Sequence, residues 1–164
     1  MGDYFWLAIA CFAFVGTHFL MSHPMRAELV RIFRLNGFLL LYSSVSLATF
    51  WWMVVAFQAA PISAPLWPVG NGLWIAATII TLFAAVLFVG SLFRNPSLPS
   101  PGAEKYAVQD PHGVFRVTRH PMMWGFALWG IAHIMIAPHI ASLIMVGSIV
   151  FLALVGSKAQ EIKK

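Results

Sequence analysis

Charge is what this sequence has least of. Only 9% of its 164 residues are Asp, Glu, Lys or Arg, against roughly a quarter in a soluble globular domain. Just five are acidic, and none stands within an apolar run, so the paired carboxylates of acid–base catalysis have no place to act. Cysteine occurs once, at Cys11, which excludes an internal disulfide and leaves the redox compartment unmarked. There is no CxxC, no HExxH, no glycine-rich phosphate loop and no Ser/His/Asp order, which argues against metalloprotease, nucleotide-binding and triad chemistry. Internal repeats and low-complexity tracts are missing as well.

What remains is apolar. Hydrophobic residues make up 60% of the chain and mean hydropathy is +0.83, values of a membrane protein. The isoelectric point of 9.9 would suit nucleic acid, but the ten Lys and Arg stand between and after the apolar runs, as membrane topology requires, so no nucleic-acid partner is expected. The length suits one domain, 1–164. The first apolar run follows Asp3 rather than a basic segment and lacks a small-x-small cleavage site, so it is read as a retained span.

Apolar runs predict spans at residues 4–21, 37–57, 70–93, 121–137 and 140–156, each near the roughly 20 residues a crossing needs. The last two are short, and the tight Pro138-His139 connection between them predicts a hairpin. Arg26, Arg31 and Arg34 fall between spans one and two, Arg94, Lys105, Arg116 and Arg119 between three and four, and Lys158, Lys163 and Lys164 after five. Every basic residue then lies on one side. The expected fold is an all-α polytopic transmembrane helical bundle of about five spans, N-terminus outside and C-terminus cytoplasmic. The connection carrying Arg26 to Arg34 is expected as a loop. In the connection 94–119, prolines at 96, 99 and 101 oppose regular structure, and Asp110-Pro111-His112-Gly113 signals a turn. Spans two and three read as scaffold, with Ser43, Ser44, Ser46 and Thr49 suited to close helix packing, while Trp51, Trp52, Trp67 and Trp74 suit an interfacial aromatic belt.

Histidine is the residue type that carries chemistry here. An imidazole in a lipid-spanning segment must find a partner or cost free energy, which makes it a functional candidate. His18 follows Cys11, Phe14 and Val15 along one stripe of the first span, and His133 follows Phe126 and Trp129 near one stripe of the fourth. His120 opens that same fourth span. It is thirteen residues before His133, which sets the two roughly 140° apart around a helix and directs them to different partners. Neutral imidazole is the usual protein ligand for haem iron or another transition metal. Burial against a neighbouring helix explains the same pattern. His23, His112 and His139 stand in connections or at span ends, where solvated roles are expected.

Gly16-Thr17-His18 with Arg26, Asn95-Pro96 with Pro101-Gly102, and the run Arg119-His120-Pro121-Met122-Met123-Trp124-Gly125-Phe126-Ala127-Leu128-Trp129 with His133 resemble the NnrU family of bacterial inner-membrane proteins over nearly the whole chain. That resemblance implies a multi-pass protein of the bacterial inner membrane associated with denitrification, supporting nitrite and nitric oxide reductase production or activity. The family is similar to plant zeta-carotene isomerase, a haem b membrane enzyme that isomerises a cis double bond. By that likeness His18 and His133 are the haem or metal ligands. A cysteine proposed as an alternative ligand in that enzyme corresponds to Gly130, so the likeness carries no thiolate ligand to this chain.

Depth along the membrane normal gives a rival. His18 and His133 lie on opposite sides of their spans' middles, roughly 14 Å apart at about 1.5 Å per residue, whereas His120 lies closer to His18 in depth. Arg26, Arg116 and Arg119 are placed to pair haem propionates at the cytoplasmic rim. The partners expected are the lipid bilayer and an apolar or small gaseous ligand, with self-association into a homo-oligomer left open. Two other functions compete with a haem protein of isomerase-like or redox activity. Arg119-His120-Pro121 resembles the motif that helps bind S-adenosylmethionine in isoprenylcysteine-type membrane methyltransferases, with Glu161 as the acidic residue left to grip that cofactor. A non-catalytic assembly factor for reductases is the third.

Overall fold

An apolar segment in lipid satisfies its own amide groups by forming an α-helix, in which each interior N–H finds the carbonyl four residues back. The computed structural model describes residues 4–93, 95 and 110–161, and all regular structure among them is helical. The helices are α1 (Phe5–Ser22), α2 (Arg26–Ala59), α3 (Asn71–Gly90), α4 (Pro121–Ile136) and α5 (Ile140–Glu161), with a 3-10 turn at Gly113–Arg116. Asp3, Arg94, Lys105, Lys163, Lys164 and the proline-rich stretch 96–102 lie outside the described residues.

Among the described residues, α1, α2, α3 and α5 are long and apolar enough to cross a membrane. The expected fourth span, α4, has 16 residues, about 24 Å of helix against a hydrocarbon core of about 30 Å. The fifth runs on to Glu161, past its expected end. The turn expected at 110–113 is present: Gly113 adopts φ 50°, and Arg116 Nε donates to the Pro111 carbonyl at 3.0 Å.

The connection between the first two spans differs from expectation. Residues 26–33 are helical rather than a loop, because neither Gly nor Pro interrupts them and Arg31 pairs with Glu28 one turn earlier. Arginine is itself a good helix former, so the charge of this segment does not oppose a helix. Arg34 breaks α2, with φ 59° and ψ 172°, a conformation that costs a side-chain-bearing residue about 1–3 kcal/mol. The stretch 35–59 then forms a second helical piece of α2.

The described chain falls into two compact units, Met1–Leu66 with Pro138–Ser148 and Trp67–Ala137 with Ile149–Lys164. In the first, α1 packs antiparallel on the second piece of α2. Tyr4 Oη donates to the Pro61 carbonyl at one end, Phe14 meets Phe50 midway, and His18 meets Tyr42 farther along. The buried residues of α1, Leu7, Ala10, Cys11, Phe14 and Met21, recur at helical spacing and form its inner stripe. Ser63 fastens the start of α5: its hydroxyl accepts the Ile140 N–H at 3.1 Å and its carbonyl accepts His139 Nδ1–H at 2.8 Å. His139 is thus a half-buried latch rather than a solvated side chain.

In the second unit α3 and α4 pack closely because Gly125 has no side chain. A Cβ there would stand 3.1 Å from the Ala84 carbonyl oxygen and 3.2 Å from the Phe88 nitrogen, backbone atoms that cannot swing aside. Phe88 and Phe126 close edge to face next to it, 5.2 Å between centroids. Trp67, expected in the aromatic belt, instead donates its indole N–H to the Met135 carbonyl at 3.1 Å, satisfying one of the free carbonyls at the end of α4. Gly125→Leu is expected to destabilise the protein by about 1–3 kcal/mol through overpacking. Thermal unfolding in detergent reads this as a lowered midpoint, and an unchanged midpoint would show that this contact does not set the helix separation.

Candidate functional site

His18 sits on the inner stripe of α1, one turn after Phe14. Its Nδ1 lies 2.7 Å from the Phe14 carbonyl oxygen, an acceptor only, so Nδ1 carries the proton and donates. The Phe14 ring lies 4.4 Å from the imidazole, and Tyr42 closes edge-on at 5.5 Å. The Ser22 hydroxyl donates to the His18 carbonyl at 2.5 Å, and Thr17 adds a second side-chain donor to the Phe14 carbonyl at 3.1 Å. Sequence reasoning found the stripe but not Tyr42, which comes from another helix and carries no local signal.

His133 repeats the arrangement in α4. Its Nδ1–H donates to the Trp129 carbonyl at 2.9 Å, and its ring lies on the Trp129 indole at 4.1 Å and 39°. Both histidines therefore follow an aromatic residue by four positions, bond its carbonyl and rest on its ring. This pairing was visible in the sequence as Phe14-x-x-x-His18 and Trp129-x-x-x-His133. The chemical consequence is a fixed tautomer. With the proton on Nδ1, the lone pair belongs to Nε2, and among the described residues no partner takes it in either ring. A metal-ligating imidazole is oriented by this same kind of bond.

The other candidates occupy different positions. His120 stands just before the first residue of α4, with its backbone N–H on Thr118 Oγ1 at 3.3 Å. Beside it, Leu87, Val117, Thr118 and Trp124 line an open apolar groove. Arg119 is exposed, and no ion pair is made to it among the described residues. Arg26 belongs to the first unit, where its guanidinium lies 5.7 Å from the Phe38 ring. Arg116 is committed to Pro111. His18 lies in the first unit, and His120 and His133 in the second. His23 and His112 each hold a buried Nε2 without a hydrogen-bond partner among the described residues, so neither is the solvated group expected.

The donor set bears on which guest fits. No three His, Cys, Asp or Glu gather among the described residues, whereas a protein-held zinc or similar ion takes three or four such ligands. Haem requires only one or two, because the porphyrin supplies the rest. Two tautomerically fixed imidazoles fit haem better than a bare ion. In bilayer-embedded protein without cofactor, nitrogen NMR is expected to report Nδ1–H and bare Nε2 for both His18 and His133. A protonated Nε2 in either would remove it from the donor set.

The family model described as NnrU protein matches residues 6–164. No curated protein and no solved structure matches the chain.

Proposed function

Since the chain belongs to the NnrU family, we propose that it is a haem b protein of the bacterial inner membrane, in which His18 and His133 would be the residues that hold the haem, each through Nε2. The observation that carries this is the shared Nδ1–H bond to the carbonyl four residues back, which leaves the ligating nitrogen bare in both rings. Phe14 and Trp129 hold the planes of the two imidazoles. Arg26 and Arg119 are the cations for the propionates, and the apolar helices around the rings exclude water. His120 is the rival to His133. Such a haem would supply one-electron or small-gas chemistry, which suits a role in nitrite and nitric oxide reduction or isomerase-like redox chemistry.

Purified protein reconstituted with haem is expected to give a Soret band that shifts on reduction, with one haem per chain. His18→Ala and His133→Ala are each expected to remove the low-spin bands while folding by circular dichroism is kept. If His133→Ala keeps them and His120→Ala loses them, His120 takes the place of His133. No band and no stoichiometric metal would end the haem proposal and favour an assembly factor. The groove beside His120 and the exposed Arg119 support a second function, S-adenosylmethionine binding by Arg119-His120-Pro121. Heat evolved on titration with that cofactor, in protein that binds no haem, would select it.

The same proposal takes α4 as a crossing, since an odd number of crossings sets all ten Lys and Arg on the cytoplasmic side. Its short length is met by local thinning or by flanking residues reaching the interface. Cysteine introduced for Ser63 in a Cys11→Ala background is then expected to react with an impermeant reagent from outside intact cells, and cysteine introduced for His112 only after lysis. Reaction of both from outside would overturn this topology.

A further inference from the structure

Of the first piece of α2, residues 26–33, the haem proposal uses Arg26 alone. Leu29, Ile32 and Phe33 recur at positions i, i+3 and i+4 and share one face, while Ala27 and Arg31 lie on the opposite one and Glu28 stands at the boundary, one turn before Ile32. Ile32 is 59% exposed and Phe33 49%, large apolar surfaces at the point where the chain emerges from α1. Length places them. The stretch 35–59 is already about 37 Å of helix at about 1.5 Å per residue, enough for the hydrocarbon core by itself. Residues 26–33 therefore lie beyond the core, and the break at Arg34, with φ 59°, permits them to leave the direction of the crossing.

We propose that residues 26–34 lie in the plane of the cytoplasmic interface and form a binding surface for anionic phospholipid. Leu29, Ile32 and Phe33 enter the acyl boundary, and Arg31 and Arg34 hold headgroup phosphates. Charge complementarity names this occupant. Arg26, Arg31 and Arg34 face only Glu28 within the segment, and Arg31 remains 76% exposed although it pairs with Glu28, so its guanidinium is open to a phosphate on the water side. An amphipathic helix with arginine on its polar face and Ile and Phe on the other binds such a surface by burial and charge together. Arg26 is engaged over Phe38 and is left out of the lipid-binding pair.

The test uses full-length protein in bilayers of phosphatidylglycerol and phosphatidylcholine. Spin labels on cysteine at Ile32 or Ala27, in a Cys11→Ala background, read position: Ile32→Cys is expected to be accessible to oxygen and Ala27→Cys, on the opposite face, to a water-soluble nickel reagent. Spin-labelled lipids read selectivity. The preference for phosphatidylglycerol is expected to fall about fivefold for each of Arg31→Gln and Arg34→Gln, to weaken with salt, and to be retained in Arg31→Lys with Arg34→Lys. Unchanged selectivity in the double Gln variant, with its thermal midpoint intact, would falsify the lipid site. An Ile32 label reached by nickel would also overturn the proposal, and one shielded from both reagents would assign this face to protein contact. Haem content is not expected to change in any of these variants, so this result is independent of the haem titration.

Discussion

Helices in lipid leave no polar group without a partner, and this chain meets the constraint almost wholly within each helix. Along the described residues the polar side chains of the spans turn back on carbonyls three or four residues earlier. Thr49 bonds Val45, Thr78 bonds Trp74, Ser91 bonds Phe88, Ser148 bonds Met145 and Ser157 bonds Leu154. Each bond commits a hydroxyl within its own helix, although the Ser148 hydroxyl also reaches the Met53 sulfur of α2 at 3.9 Å. Helix association within a unit is therefore left mainly to shape, as at Gly125 against Ala84 and Phe88, because lipid supplies no hydrophobic drive for helices to meet. Other longer-range polar links occur at helix ends, at Tyr4 with Pro61, Trp67 with Met135 and His139 with Ser63.

The two central histidines obey the same constraint with a different result. A hydroxyl that bonds its own helix has committed its one proton and can act further only as an acceptor. An imidazole that does so has satisfied only one of two nitrogens, and the second is turned into an acceptor that cannot donate. The feature that keeps His18 and His133 compatible with an apolar helix is thus the feature that prepares each for a ligand. The bond alone is equally what a purely structural histidine makes.

Much of this was legible from residue order alone. The apolar runs located the helices because their lengths match a bilayer, and the stripe Cys11, Phe14, His18 emerged as the inner face of α1. Other features were not legible, for identifiable reasons. Three arginines between two spans suggest a loop, but arginine is a good helix former and nothing in residues 26–33 opposes a helix before the break at Arg34. Ser43 and Ser44 were expected to serve packing, yet both are exposed, and it is Gly and Ala that let α3 and α4 approach. Trp67 resembled an interfacial anchor because no sequence pattern distinguishes an indole in a belt from one that caps a helix 68 residues away.

Local chemistry determined what depends on neighbours within a turn. Helix length, the basic residues at the membrane surface and the aromatic-x-x-x-His spacing behind the two tautomers are all of this kind. Tertiary structure decided what depends on residues distant in sequence: Tyr42 beside His18, Ser63 beneath the start of α5, and the close passage of α3 over Gly125, together with the break at Arg34 that divides α2 into two pieces. The physical reason is range. Hydrogen bonds and side-chain stacking along one helix are set by a repeat of about 3.6 residues that any reader of the chain can count, whereas contacts between helices depend on rotation and depth, which apolar residues on every face leave unspecified.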